Sequence, residues 1–401
     1  MKALFLGAGA SYECGMPLVW EFTNVLRANV LKRLDTKLFN LHGHSDFRQE
    51  FEAILSDPNI HYEQMVGKLE GIQLQMREDS GIVSETARQF LDCVQVLLLE
   101  DQILTTRLLA EKAKDYSGLK SLLEQYQCLH VFSLNHDVNF EEICKLHGVA
   151  FRDGFYEGGA DRYSNIANFK SLTIEQIDSR ALNYFGAEGY GVNLLKLHGS
   201  LDIFAVEDKN LYLKCAPPLA SPVGLHVQEI QRLEQHSIKV SQQANLRTIG
   251  ELDVLDVHGE IQFLRRSLLS GAHKFKGTFD QVAPQAFFDE FKARIQVMTE
   301  IDVIGYGFGD DHVNEVLNDW LHIPKVHMNI YDPYRKSVPP SLEFAVDNIS
   351  IFNIGLTEYF AQFEAPKYSS VSYARNKMFQ QGREDLQRRR IEAWNIDGAR
   401  S

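Results

Sequence analysis

The chain has 401 residues, 44% of them hydrophobic, which is enough for a substantial core and predicts two or three structural units. Its five cysteines form no CxxC pair, which argues against a disulfide framework and a four-thiolate zinc site. The formal net charge of −13 makes the body of the protein a poor nucleic-acid binder. No signal peptide or membrane-length apolar run is apparent, so we expect a cytoplasmic protein that does not bind membranes.

Short apolar runs, each followed by turn residues, recur along the chain and predict strands that are buried on both faces. They lie at 3–6, 129–134, 192–197, 301–308, 326–331 and 349–354. Segments with helical spacing lie between them, at 18–34, 139–147, 311–322 and 356–364. The alternation predicts an α/β fold with a doubly wound, Rossmann-like parallel sheet.

Two long insertions and a tail interrupt this pattern. Residues 36–127 contain amphipathic helical patterns and no convincing strand, which predicts a helical subdomain. Residues 205–300 are mixed, with a hairpin-like FAVEDKNLYLKCAPP followed by polar helical stretches. We therefore predict that 1–35 and 128–365 form the α/β domain, that 36–127 is a helical insertion and that 366–401 is a basic helical tail.

The tail differs in charge from the rest of the chain. It contains eight basic residues against four acidic ones, a balance of +4 (Lys367, Arg375, Lys377, Arg383, Arg388, Arg389, Arg390 and Arg400 against Glu384, Asp385, Glu392 and Asp397). Either a solvated helix or a docking surface for a partner or a second subunit would account for this composition.

Polar clusters follow four of the predicted strands. They are GAGAS (7–11), SLNHD (133–137), HGS (198–200) and GYGFGDDH (305–312). Ligands bind beyond the carboxyl ends of strands in open parallel sheets. If these four strands are parallel, their clusters meet in one crevice, which we predict to be an active site.

The GAGAS turn predicts a site for a pyrophosphate, because glycines allow close backbone approach and the following helix presents N–H groups. It is not the dinucleotide fingerprint GxGxxG, since Tyr12 stands where the third glycine would be. No GxxxxGK[ST] motif is present, which excludes a P-loop ATPase. A tight strand-to-helix turn without a ligand is the alternative.

The next two clusters offer an amide, a carboxylate and an imidazole. Asn135 could contact a ribose or hold a water, and Asp137 could cap the following helix. His136 alternates to the opposite side and is expected to pack or face solvent. His198 could accept a proton from a sugar hydroxyl or a water, or it could be a structural histidine.

In GYGFGDDHVN, Gly305 and Gly307 again allow close backbone approach. Asp310, Asp311 and His312 resemble metal ligands, but adjacent residues rarely share one coordination sphere. We expect no metal here and expect one aspartate to cap the following helix.

The order of these motifs, GAGAS…GMP, SLNHD, LHGS and GYGFGDDHVN, resembles the sirtuin fold. More specifically, it resembles the SIR2-like NADase domains of bacterial anti-phage defence systems, including the kind encoded with a HerA-type ATPase. The resemblance implies that NAD+ is a substrate.

The resemblance also implies roles for individual residues. Gly7, Ala8, Gly9 and Ser11 match the pyrophosphate turn, and Asn135 and Asp137 match the motif beside the nicotinamide ribose. His198 matches the catalytic histidine, Gly305 and Gly307 face the adenosine ribose, and Asn329 and Asp332 fall in the adenine-side loop. We expect Asn135 to position a water and His198 to take a proton from it or from a ribose hydroxyl.

Two departures from protein-deacylating sirtuins disfavour deacylation. The paired cysteines of a zinc ribbon are absent, and Leu18-Val19-Trp20 stands where those enzymes have Asp-Phe-Arg. We therefore predict an NAD+ glycohydrolase whose activity is gated, with the helical insertion and the tail as candidate gates or oligomer contacts. The alternative is a module that senses NAD+ or ADP-ribose without turnover. The resemblance further implies a homo-oligomer and a HerA-type partner.

Overall fold

The architecture is taken from a computed structural model of the chain. It describes residues 1–36, 38–39, 41, 43–75, 80–186, 188–207, 210–217, 221–246, 248, 250–268, 285–364 and 370–393.

The described residues form strands of two sheets. In chain order they are β1 (Lys2–Leu6), β2 (Cys128–Ser133), β3 (Phe151–Arg152), β4 (Tyr156–Glu157), β5 (Phe169–Thr173), β6 (Gly191–Lys196), β7 (Gly199–Val206), β8 (Leu211–Cys215), β9 (Glu251–Leu255), β10 (Ile261–Leu268), β11 (Glu300–Ile304), β12 (His327–Tyr331) and β13 (Ile349–Phe352).

The helices are α1 (Ala8–Tyr12), α2 (Val19–Asp35), α3 (Ser45–Ser56), α4 (Tyr62–Gln75), α5 (Ser80–Lys112), α6 (Gly118–Tyr126), α7 (Asn139–Leu146), α8 (Ile174–Asp178), α9 (Leu225–Ala244), α10 (Gln285–Ile295), α11 (Asp311–Leu321), α12 (Leu356–Ala361) and α13 (Ser370–Ala393). Short 3₁₀ segments lie at 113–116, 161–163 and 340–348. None of these helices combines the length and the apolar character that a membrane crossing requires.

The first sheet has the order β13-β12-β11-β1-β2-β6-β3, and all of its pairings are parallel. All six predicted strands belong to it, so the prediction of a doubly wound parallel sheet is confirmed. The chain moves outward from β1 in both directions, which makes the carboxyl end of β1 the switch point where such folds bind ligands.

The central strand β1 shows why the sheet is covered on both faces. All five of its residues are buried. Alternate side chains enter two different apolar clusters, Phe5 one and Leu4 the other, because successive strand residues point to opposite faces. Neither face of this strand is exposed to solvent.

The fourth predicted strand, 301–308, extends beyond the end of the strand in the structure. The strand β11 ends at Ile304, because Gly305 adopts a left-handed backbone with φ of +63°. Residues 305–310 therefore form a loop at the carboxyl edge of the sheet, and this loop contributes to the candidate site.

A second, antiparallel sheet with the order β4-β5-β8-β7-β10-β9 occupies much of the region 156–268. The β7–β8 pair is the hairpin that the sequence indicated. The β9–β10 hairpin, where polar helical stretches were expected, was not predicted. Since β7 begins at Gly199, directly after His198, this sheet borders the carboxyl edge of the first one.

The described part of 36–127 contains helices and no strand. Its core is apolar and includes Phe51, Leu69 and Phe90, none of which is exposed. Helices α2 to α5 bury these side chains against one another, because each presents one apolar stripe.

The basic tail docks on its own chain. Arg383 of α13 is buried, donates to Glu21 at 2.6 Å and lies 3.1 Å above the ring centre of Tyr12. Arg390 is also buried, and it pairs with Asp101 of α5. A solvated helix, one of the two alternatives that the sequence left open, therefore does not account for these two arginines. Lys367, Asp397 and Arg400 lie outside the described residues.

Candidate active site

The carboxyl ends of β1, β2 and β11 are neighbours in the parallel sheet, and the loop after β6 joins them. Asn135 Nδ2 donates to Gly7 O at 2.9 Å and to Ser11 Oγ at 3.0 Å. The next contact lies between the loops after β6 and β11, where His198 Nε2 is 3.0 Å from Asp310 Oδ2. The four sequence clusters thus converge at one edge, as the sequence predicted.

The glycine turn is built by close backbone contact with the loop after β11. A Cβ atom placed on Gly9 would lie 2.7 Å from Gly305 Cα, and one placed on Gly7 would lie 2.6 Å from Gly305 O. Both distances are shorter than any ordinary contact, so neither position can accept a side chain without a backbone shift. The fold itself therefore requires glycine at positions 7 and 9, whether or not a ligand binds there.

Several amides of the turn are already paired within the protein. Gly7 N donates to Ile304 O at 3.0 Å, Gly9 N to Gly305 O at 2.8 Å and Ala10 N to Gly7 O at 2.9 Å. A pyrophosphate held here would therefore have to use other donors. The role of Gly7, Ala8 and Gly9 in ligand binding stays a prediction, and the alternative of a structural turn gains a physical basis.

Gly307 differs from the other glycines of the site. It is exposed, and a Cβ atom there would meet nothing within 4 Å. The next residue, Phe308, has a positive φ of +60°, which is uncommon for a bulky side chain. Its ring lies 4.7 Å from that of Tyr306 and 5.1 Å from the Arg335 guanidinium. The loop is held in an unusual shape at the position where the sequence predicts a ligand.

Asp137 is buried and lies one residue before Val138, the N-cap residue of α7, whose own side chain does not cap the helix. Its Oδ1 accepts from the backbone N–H of Asn139, where α7 begins. The ammonium group of Lys196 donates to the backbone carbonyl of Asp137. Burial raises the pKa of Asp137, although the charge of Lys196 and a hydrogen bond from Ser11 act in the opposite direction.

His198 and Asp310 form the imidazole–carboxylate pair of the site, and both are buried. Asp310 also caps α11, since its Oδ1 accepts from the backbone N–H groups of His312 and Val313 at 3.1 and 3.3 Å. The expectation that one aspartate caps this helix is confirmed. The same carboxylate also reaches His198 through its other oxygen, a contact that the sequence did not predict.

A second histidine lies beside this pair. His136 is buried, and its ring centre is 6.1 Å from that of His198. Its backbone carbonyl accepts from Leu201 N at 2.9 Å and from Ser200 Oγ at 3.2 Å, which ties β7 to the loop after β2. His136 was expected either to pack or to face solvent. It packs inside the protein, beside the predicted catalytic residue His198.

A buried network of charges continues from Lys196 into the antiparallel sheet. Lys196 lies 3.5 Å from Glu141, which lies 3.4 Å from Lys214. Lys214 lies 3.1 Å from Asp153 and 3.7 Å from Asp202. Burial alone would lower the pKa of Lys214, but Asp153, Asp202 and Glu141 outweigh it and raise that pKa. The three carboxylates therefore favour the charged form of this buried lysine.

The two residues predicted for the adenine side are placed differently. Asn329 points within the sheet, where its Nδ2 donates to Glu300 at 3.0 Å and to Asp302 at 2.8 Å. Asp332 follows β12 at the carboxyl edge, and it lies 3.4 Å from Arg335. The structure thus brings Asp332 to the edge of the sheet and leaves Asn329 in a separate polar cluster.

No group of three or more potential His, Cys, Asp or Glu metal ligands occurs among the described residues.

No protein-family model matches this chain, and no curated protein sequence matches it significantly. Among solved structures, the chain matches one described as Sir2Tm bound to a propionylated peptide, with 12% identity, coverage of 90% of this chain and 91% of that chain, and a TM-score of 0.33. A structure described by the structural basis of sirtuin substrate affinity matches with 13% identity, 90% and 92% coverage, and a TM-score of 0.36. The fold class given above rests on the strand order and pairing of this chain.

Proposed function

We propose that this protein is an NAD+ glycohydrolase that cleaves NAD+ to nicotinamide and ADP-ribose. The observation that carries the proposal is the convergence at one sheet edge of Asn135, bound to the glycine turn, and His198, paired with Asp310. Their order along the chain is that of the SIR2-like motifs. In the reaction, the bond between nicotinamide and ribose breaks, water adds to the sugar carbon, and one proton is released.

Asn135 orients the attacking water or the nicotinamide ribose in this proposal. Its Nδ2 already donates to Gly7 O and Ser11 Oγ, so the side-chain oxygen is the atom that accepts from the ligand. The two hydrogen bonds fix the amide plane, which supplies the orientation that a one-water reaction requires.

His198 takes the proton released by the water or by a ribose hydroxyl. In this proposal Asp310 accepts from the imidazole Nε2–H, so Nδ1 is the nitrogen that takes the released proton. A carboxylate at 3.0 Å also stabilises the imidazolium that forms. The cleavage passes through a state with positive charge on the sugar. The resemblance of the motifs implies that Asp137, which is buried, faces that sugar.

In this proposal the pyrophosphate lies against Gly7, Ala8, Gly9 and Ser11 and accepts from donors other than the paired amides of this turn. Gly305, Gly307 and Asp332 line the adenosine side. Asn329 acts there only indirectly, since its amide is bound to Glu300 and Asp302. We further propose a cytoplasmic, gated effector of anti-phage defence that acts as a homo-oligomer with a HerA-type ATPase. These features follow from the resemblance of the motifs alone.

The test is release of nicotinamide from NAD+, measured chromatographically with purified protein and in phage-infected cells, where any trigger is present. We expect Asn135→Ala and His198→Ala each to reduce hydrolysis by at least about 10²-fold, the scale of a lost acid–base or orienting group. The affinity for NAD+ should change only a few-fold, and the double variant should lose less than the product of the single effects. Asp310→Asn, which can still cap α11, should reduce turnover and alter its pH profile.

The outcomes separate the alternatives. A wild type that binds NAD+ and releases no nicotinamide in either setting would be a sensor. Release of O-acyl-ADP-ribose from an acylated peptide would indicate a deacylase. If His198→Ala is as fast as the wild type, the proton acceptor has been assigned to the wrong residue.

A further inference from the structure

A hydrogen-bonded pair of side chains, Tyr306 and Asn314, spans the loop after β11. Tyr306 lies near the start of this loop, and Asn314 lies in the first turn of α11, the helix that follows it. Both residues are buried, and Tyr306 Oη donates to Asn314 Oδ1 at 3.0 Å. The pair therefore connects the beginning of the loop to the element at its end. The proposed reaction assigns no role to either residue.

The amide of Asn314 is oriented by a second contact. Its Nδ2 donates to Phe308 O at 2.9 Å, so its Oδ1 is the atom that faces Tyr306. Phe308 has the left-handed backbone described above, with φ of +60°. A bulky residue remains in that conformation only where its surroundings hold it there. The Asn314 amide supplies such a restraint on the Phe308 carbonyl.

Tyr306 connects the same pair to Asp310. Its ring lies 5.2 Å from that of Phe5 in β1, which fixes the ring in the core of the sheet. Its Oη accepts from Asp310 N at 3.2 Å. Burial raises the pKa of Tyr306, so the hydroxyl stays protonated and can donate to Asn314 while it accepts from Asp310. The backbone of Asp310 is thereby held relative to β1.

The side chain of Asp310 has little freedom once its backbone is held. Its Oδ1 accepts from the backbone N–H groups of His312 and Val313 at the start of α11. Its Oδ2 lies 3.0 Å from His198 Nε2. Because the side chain is short and one of its oxygens is bound to the helix, a shift of the Asp310 backbone would change the contact with His198.

We propose that Tyr306 and Asn314 are positioning residues for the cleavage of NAD+. They hold residues 305–310 in the shape that places the Asp310 carboxylate on His198. In this proposal they act through Asp310 and touch neither the substrate nor the attacking water. The inference deepens the proposed function and rests on it, since it takes His198 as the acceptor of the released proton.

Steady-state kinetics of nicotinamide release tests the proposal with two variants. Tyr306→Phe removes only the hydroxyl, and Asn314→Ala removes the amide. We expect each variant to lower kcat about tenfold and to change KM less than about threefold, because the proton acceptor is misplaced and the substrate contacts remain. The double variant should lose no more than the larger single effect, since both residues act through one hydrogen bond.

The tautomer of His198 gives a second readout that does not require activity. In the wild type Asp310 accepts from Nε2–H, so the ¹⁵N chemical shifts of the ring should show a neutral imidazole protonated at Nε2. In Tyr306→Phe and Asn314→Ala a larger fraction should be protonated at Nδ1. The signals of His198 are assigned by their disappearance in His198→Ala.

Tyr163→Phe and Asn183→Ala are matched controls that remove the same groups away from the site. Tyr163 is buried and its Oη donates to Glu207 at 3.2 Å, and Asn183 Nδ2 donates to Phe155 O at 2.8 Å. Both variants lose a hydrogen bond of the same kind as the test variants do. Both should leave kcat and the tautomer of His198 unchanged.

The outcomes separate this inference from the proposed function. The inference is overturned if folded Tyr306→Phe and Asn314→Ala match their controls in kcat and in the tautomer of His198. A wild type that releases no nicotinamide contradicts the proposed function instead. In that case the tautomer alone decides whether the pair positions Asp310 on His198, and an unchanged tautomer overturns the inference as well.

Discussion

The two sides of the candidate active site are held by different forces. On the glycine side, Gly7 and Gly9 meet Gly305 backbone to backbone, with the amides of Gly7 and Gly9 paired to carbonyl groups. On the charged side, Lys196 and Lys214 lie in a network of buried carboxylates. The first side is sensitive to volume and carries no titrating group, whereas the second is sensitive to charge.

The difference shows where a variant reports on chemistry and where it reports on folding. A side chain added to the glycine side displaces backbone, so lost activity there need not mean a lost ligand contact. On the charged side, isosteric changes can remove a charge while the shape is kept. Experiments on this site are therefore most informative when the two sides are perturbed in matched pairs.

The largest effect on stability is expected when a cation is removed from the charged side. Lys214→Met would leave Asp153, Asp202 and Glu141 without their shared partner, in a region that excludes water. We expect the free energy of unfolding to fall by about 3–5 kcal/mol, as for other broken buried ion pairs. Denaturation in urea measures the change.

Lys68→Met is the control for that prediction, because Lys68 is 48% exposed and pairs with Asp57 at the surface. It should change stability by less than about 1 kcal/mol. Equal effects of Lys214→Met and Lys68→Met would mean that the buried ion pairs of Lys214 stabilise the fold no more than a surface ion pair does.

An intermediate effect is expected on the glycine side. Gly9→Val should lower the free energy of unfolding by about 1–3 kcal/mol or more, because its side chain would strike Gly305. Gly307→Ala should leave stability within about 0.5 kcal/mol, since that site is open. If NAD+ passes over Gly307 as proposed, its affinity in calorimetry should fall about tenfold.

Gly71→Ala, at another open glycine in α4, serves as the affinity control and should have no effect. Unchanged affinity in Gly307→Ala would remove this loop from the ligand site. Unchanged stability in Gly9→Val would contradict the steric basis of the glycine side.

The smallest expected effect is a pH dependence of stability from Asp137. Its folded pKa is raised by burial, so the native state holds this proton more tightly than the unfolded chain does. The contribution of Asp137 is therefore complete below its ordinary pKa of about 4 and is lost as the pH rises through the folded value. Asp137→Asn should become more stable relative to the wild type over that rise, by up to about 1.4 kcal/mol per pH unit. A constant difference in urea denaturation from pH 4 upward would contradict this.

The parallel sheet was predictable because its strands are continuous apolar runs. That pattern arises only when both faces are covered, and it located the four strand ends that meet at the site. The β9–β10 hairpin was missed because its sequence mixes charged residues with exposed apolar ones, such as Phe263 at 45% exposure. A half-buried strand of this kind gives a weak periodic signal.

The sequence could predict which residues lie near one another at the site, but it could not predict which of them are in contact. The pairing of His198 with Asp310 depends on where two loops place their ends, which no spacing along the chain encodes. The close contact between Gly9 and Gly305 has the same origin, since the residues are distant in sequence. Asn329 was predicted to lie at the edge of the sheet. In the structure it lies two residues before the end of β12 and faces Asp302.

The position of β1 also has a consequence for the synthesis of the protein. Lys2–Leu6 is made long before Glu300–Ile304, yet it lies between β2 and β11, and its pairing with Glu300–Ile304 cannot form until that segment leaves the ribosome. At roughly 5–20 residues per second, about 300 residues take some 15–60 s to be made. During that time Gly7 and Gly9 have no Gly305 to pack against, and His198 has no Asp310. A chain that ends before Asp310 therefore has an incomplete site, and cleavage of NAD+ at the proposed site would have to wait until Asp310 has been translated.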